Sequence, residues 1–193
     1  MKKTAMILTL CVVVLALVVP GTALADEEKT STELNQDAKR AKINEVAKET
    51  LNKLFSENAN AKELYEQAVG WAVFDNTKVA VGVSGGGGNG VAVSKTTGKH
   101  AYMKMGTVGV GFGLGVNSYQ VVFLFQDDVT LRNFIEKGWQ ADAGATASAG
   151  KNAAEVKTNF VNGLAIYQLT YKGLMLNADI AGTKYKLNDK LNE

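Results

Sequence analysis

Cysteine, proline and histidine each occur once in this 193-residue chain, as Cys11, Pro20 and His100. That scarcity excludes metal centres built from clusters of His and Cys. It also leaves a histidine-based triad only His100, and no GxSxG elbow accompanies it. Cys11 sits in an apolar N-terminal run, so no disulfide braces the remainder, which must stand on its hydrophobic core. Carboxylates are absent between Asp75 and Asp127, a stretch that holds Lys78, Lys95, Lys99, His100 and Lys104. A run of that length without an acid predicts a locally basic β-surface. The acids elsewhere show no calcium-loop spacing, and the adjacent Asp127 and Asp128 stand where a helix cap belongs. No catalytic residue, metal ion or cofactor is expected, and the chain reads as non-enzymatic.

The first 25 residues have the order of a secretory leader: Lys2 and Lys3, an apolar run over 5–19, then Pro20 and an Ala-Leu-Ala exit at 23–25. Cleavage is expected after Ala25, placing the protein in the periplasm or outside the cell. Pro20 and the acids Asp26, Glu27 and Glu28 make the run too short and poorly flanked for a membrane span. Leu8, Thr9 and Leu10 before Cys11 are not the small residues a lipoprotein signal requires. With Lys2 and Lys3 set aside, the remaining Lys and Arg match the 19 acids one for one, so attraction to nucleic acid is not expected.

Residues 30–57 read as a helix opened by a capping box at Thr30 and Glu33, within an N-terminal helical segment over 26–60. Ile43, Val46, Ala47, Leu51, Leu54 and Phe55 form its apolar stripe, and Lys39, Arg40, Lys42, Lys48 and Lys53 give it a cationic flank. Asn60 with Glu63 predicts a second short helix that Gly70 closes. From Trp71 the period becomes two. Strands are predicted over 71–75, 78–84, 90–95, 100–105, 107–116 and 119–126, with turns at Thr97-Gly98 and Asn117-Ser118. Asp127 or Asp128 then caps a helix over 129–137 that Gly138 stops, and strands follow over 141–149, 162–170 and 174–182.

Glycine is abundant where the period is two. Gly109, Gly111, Gly113 and Gly115 alternate with Val110, Phe112, Leu114 and Val116, giving a strand with one bare face. Glycine costs a strand backbone entropy and packs nothing, so such a face must answer to a close approach by a backbone, a helix or a ligand. Gly85, Gly87 and Gly90 in SGGGGNG fit a GxGxxG pattern, but a strand follows them, and a dinucleotide site needs a helix N-terminus there. The run reads instead as a loop or hairpin tip whose backbone N–H groups suit an anion. The expected class is α+β: a strongly curved antiparallel sheet or partial barrel of about seven to nine short strands, with N-terminal helices and one later helix packed on it.

The segments AVGWAVFDNTKVAVGVSGGGGNGVAV, YMKMGTVGVGFGLGVNSYQVVFLF, LRNFIEKGW and LAIYQLTYKGLMLNADIAGTKY, in that order, resemble the SYLF-domain family in its bacterial exported branch. The likeness covers nearly all of 62–191 and marks 61–193 as the β-rich domain. It implies a lipid-binding module at membranes.

Two sets of residues stand out for such a role. Lys78, Lys95, Lys99, His100 and Lys104, with the backbone of Gly86, Gly87 and Gly88, are candidates to meet anionic lipid headgroups. Leu51, Leu54 and Phe55 on the amphipathic helix are candidates to enter the acyl boundary. Anionic membrane lipids are the expected partner, bound reversibly and peripherally. The alternative is a structural or protein-interaction module of the cell envelope, whose glycine-rich strands pair with a partner protein or another copy.

Overall fold

The computed structural model describes residues 22–140, 159–170, 173–175 and 182–193. Most of the predicted leader and the strand predicted over 141–149 lie outside the described residues. The chain divides into two compact units at Leu34 and Asn35. The described part of the first, 22–34, is helical. Apart from the N-terminal bounds of its first helix, everything below concerns the second, Asn35–Glu193.

Helix α1 (Thr22–Glu57) starts before the predicted capping box, so Thr30 is an interior residue. Ala47, Leu51 and Leu54 are buried along one stripe while Glu45, Glu49 and Asn52 face water, as helical spacing requires. Asn58 ends α1 and caps α2 (Ala59–Gln67), its Oδ1 accepting from the Ala61 N–H at 2.8 Å, two residues earlier than the predicted cap.

The predicted short strands merge into two long ones, β1 (Gly70–Ser94) and β2 (His100–Phe125), forming one antiparallel hairpin in register from Gly70↔Phe125 to Val93↔His100. Gly98, with φ of 68°, makes the turn predicted there. Asn117 and Ser118 make no turn; they continue β2 opposite Lys78 and Thr77. The sheet is completed by β3 (Trp139–Gln140), β4 (Leu164–Thr170), β5 (Gly173–Met175) and β6 (Thr183–Leu187), in the order β3-β6-β2-β4-β5 with β1 on β2. Helix α3 (Asp128–Glu136) is capped by Asp127, which accepts from the Thr130 N–H at 2.8 Å.

The hairpin is bent double. The Lys95 N–H donates to the Val69 carbonyl at 2.8 Å, bringing the turn end back to the open end. Between them, Gly86, Gly88 and Gly90 press their bare faces on the carbonyls of Thr77, Asp75 and Val73. For these glycines the close approach is a backbone, and a Cβ would be in collision with it. The bend falls at the bulge between Val81 and Val83.

Each face of the sheet carries a core. On one, Phe74, Phe123, Phe125 and Tyr185 pack with Phe134 of α3 and Trp139, and ring centroids approach to 4.7 Å for Phe74–Tyr185 and 5.0 Å for Phe123–Phe134. On the other, Val73, Val91, Leu124 and Tyr167 pack under Leu51 and Leu54 of α1 and Leu64 of α2. Residues 121–125, VVFLF, are buried on both sides, which is why this run does not alternate. The α+β class and the curved antiparallel sheet are as the sequence predicts.

Candidate functional site

The hairpin places its cations at separate points. Lys95 is committed to α2: its Nζ donates to the carbonyls of Tyr65 at 2.8 Å and Glu66 at 3.1 Å and lies 4.7 Å from the Tyr65 ring centre. A cation there satisfies the last carbonyls of a helix and offsets its dipole. His100 Nδ1 lies 3.2 Å from Asn44 Oδ1, and Asn44 Nδ2 donates to the Tyr102 hydroxyl at 3.0 Å, a clip between α1 and β2. Lys99 is exposed at the turn, whereas Lys78 lies toward the bend, opposite Asn117.

Lys104 has different company. Its register partner on β6 is Lys186, and Lys184 of β6 stands opposite Gly106. All three alternate with buried neighbours, Met103 and Met105 on β2 and Thr183 and Tyr185 on β6, so they share the outward side. None of the three has a carboxylate within ion-pair distance among the described residues. Like charges directly opposite one another destabilise a sheet, so this strip stores repulsion that an anion relieves. The sequence hides it because Lys104 and Lys186 are remote along the chain and only β6 pairing joins them.

Gly86, Gly87 and Gly88 are not a loop. They are strand residues opposite Thr107, Gly106 and Met105, and the bare faces of Gly86 and Gly88 are spent on the backbone contact described above. Gly87 and Asn89 instead border an outward cleft of about 310 Å³, whose other walls are Lys42 and Val46 of α1 and Asp75 and Thr77 of β1. Both of its charges are engaged: Lys42 Nζ donates to Glu45 at 2.9 Å, and Asp75 accepts from Gln120 Nε2 at 2.9 Å. The Glu45 hydrogen bond raises the Lys42 pKa, and Lys42 in turn lowers that of Glu45.

The predicted inserting residues belong to the core. Leu54 is 0 % exposed and Leu51 is buried, and Phe55 packs on Tyr65 with ring centres 4.9 Å apart. That stripe is already covered by the sheet, so entering a bilayer through it would require α1 to leave. The bare face predicted at Gly109, Gly111 and Gly113 falls among residues whose side-chain surroundings lie outside the described set. Gly106 and Gly115, at either end, have open space where a Cβ would stand.

Toward the bend the inner face turns polar. Asn76 is 1 % exposed with neither side-chain atom hydrogen-bonded, and the hydroxyls of Thr183 and Tyr185 and Oε1 of Gln168 are likewise buried without a hydrogen bond. Burial, with a smaller contribution from Tyr119, pushes the Tyr185 phenol well above its ordinary pKa.

Residues 106–193 match the family model described as Las17-binding protein actin regulator, Ysc84. Over 171 residues the chain is 41 % identical to Beta cell expansion factor A of Aeromonas veronii, covering 88 % of this chain and 66 % of that relative's length. The chain belongs to the SYLF-domain family. Neither description names a reaction. In this SYLF domain the matched region takes in most of β2, all of α3 and β6, and therefore Lys184 and Lys186. No described helix is long and apolar enough to cross a membrane. Among the described residues no group of His, Cys, Asp and Glu could hold a metal ion.

Proposed function

We propose that this SYLF domain is an exported, non-enzymatic module that binds anionic lipid surfaces reversibly. The observation that carries the reading is the strip formed by Lys104, Lys186 and Lys184, cross-strand neighbours with no carboxylate partner among the described residues. It extends the acid-free run of the sequence into three dimensions, since it adds two cations that the run does not contain. A basic residue near an anionic membrane contributes about 1 kcal/mol, so three give weak, reversible attachment that salt screens within about 8 Å. Export rests on the leader pattern of residues 1–25.

Co-sedimentation with vesicles tests this. The protein is expected to pellet with phosphatidylserine-containing vesicles at low salt, to stay in solution with purely zwitterionic ones, and to be released as salt rises. Replacing Lys104, Lys184 and Lys186 together with Gln should abolish the difference while leaving the melting temperature within a few degrees, because outward-facing lysines without partners contribute little to stability. Equal binding to neutral vesicles, or none to either, overturns the reading and favours a protein partner, the kind the family description names. Mass spectrometry of protein from its host should find Asp26 at the N-terminus; an unprocessed Met1 chain refutes export.

A further inference from the structure

We propose that the bend of the β1–β2 hairpin is a wedge that enters the acyl boundary of an anionic bilayer, with Val79, Val108 and Val116 as its apolar edge and Lys184 and Lys186 as its headgroup collar. The inference rests on the lipid reading above and adds the depth and the element of contact.

Val79, Val116 and Val108 are 45 %, 67 % and 74 % exposed. Val79 and Val116 are register partners, so they form one apolar pair on the surface. The alternation of each strand puts all three on the side of the sheet that α1 and α2 cover at its other end. At the bend no described element covers that side. The same side is polar one step back, at Asp75 and Thr77 of β1 and Ser118 and Gln120 of β2, so the change to valine is local to the bend. The Val79–Val116 pair, with Val108 on the other arm of the bent hairpin, gives the convex side of the bend an apolar character that marks an interaction surface.

On that side Gly106 would meet nothing within 4 Å if it carried a Cβ, so no element of the described chain closes over β2 there.

Charge decides the occupant. Val108 joins β6 through its N–H, which donates to the Gly182 carbonyl at 3.4 Å, and Lys184 follows two residues along β6, opposite Gly106. Strand spacing puts Lys184 about 7 Å and Lys186 with Lys104 about 13 Å behind the level of Val108. With Val108 about 5–10 Å inside the acyl boundary, those lysines lie among the headgroup phosphates. A second copy of this chain would bring the same lysines together instead, which opposes self-association through this edge.

Single cysteines at Val79→Cys, Val108→Cys and, as a control on exposed α2, Glu63→Cys, each in a Cys11→Ser background and carrying an environment-sensitive fluorophore, test the wedge. On phosphatidylserine-containing vesicles the probes at 79 and 108 are expected to shift to the blue and to be quenched by acyl-chain quenchers, and the probe at 63 to do neither. Replacing Val79, Val108 and Val116 together with Ser should weaken vesicle binding by about tenfold per valine. The folded state should be retained, because all three are exposed. Co-sedimentation with dry-probe failure, the protein bound while 79 and 108 remain in water, overturns the wedge and leaves the lysine strip standing. Absence of binding to any vesicle overturns both, and a shift that appears with protein concentration alone assigns the edge to a second copy and overturns the wedge.

Discussion

The two ends of the bent hairpin obey opposite rules. At the open end the sheet is buried on both faces, with aromatic rings on one side and helices α1 and α2 on the other. At the bend the arrangement is inverted: polar groups such as Asn76 and Thr183 are shut inside, and valines stand outside in water. One end is built by the hydrophobic effect. The other gives up stability, since a buried donor or acceptor left unpaired costs about 1–3 kcal/mol. A segment that departs from good packing in both directions is where function is to be sought, and the first end serves to hold it in place.

Glycine substitutions break the comparison most severely. Gly88→Val drives a side chain into the Asp75 backbone, where nothing flexible can yield, and is expected to leave no soluble folded protein on expression. Gly106→Ala meets open space and should be neutral or raise stability by up to about 1 kcal/mol, read by denaturant titration. Equal outcomes for the two would refute the doubled-back packing of β1. Next come the apolar residues: Leu54→Ala should cost about 2–5 kcal/mol, and Val116→Ala should stay within about 0.5 kcal/mol.

Asn76→Leu sharpens the contrast from the inside. It replaces two unpaired polar atoms with an apolar group of similar shape, and is expected to stabilise the fold by about 1–3 kcal/mol. A loss of that size would instead mean that the amide is satisfied by buried water. The smallest effect belongs to α3. The Asp127 carboxyl is held below its ordinary pKa by the Thr130 backbone N–H and then by the Thr130 hydroxyl. Its contribution is therefore complete above the unfolded value of about 3.9 and is lost as pH falls through the lower folded value. Asp127→Asn should flatten the acid limb of the stability curve and leave its neutral region shaped as before.

Local chemistry was legible in the sequence. The turn at Thr97-Gly98, the cap at Asp127 and the stop at Gly138 each depend on a few adjacent residues, and all three occur. Bare faces do meet a backbone at Gly86, Gly88 and Gly90, a run the sequence reads as a loop, whereas Gly115, on the strand for which that contact was expected, has open space before it. Non-local placement was not legible. Lys95 looks like a free surface cation until α2 docks beside it, and Lys186 meets Lys104 only through β6. Asn117-Ser118 has turn composition, yet the ladder that runs through it between β1 and β2 outweighs a local preference that is worth roughly 1 kcal/mol at most. The stripe of Leu51 and Leu54 fits a membrane and a sheet equally well by periodicity, and burial against the sheet is what the fold selects.

The register of the hairpin sets an order of assembly. Val93 and His100 are close along the chain and Gly70 and Phe125 are far apart, so pairing that starts at the Gly98 turn closes a short loop and each later rung a longer one. The zipper must pass the bulge at Val81 and Val83 before the phenylalanines of 121–125 can collapse, which places the weakest stretch of the ladder between nucleus and core. Rungs near the turn are expected to show high φ-values and those beyond the bulge low ones, and a chain trapped midway would carry a formed turn and an open, sticky end.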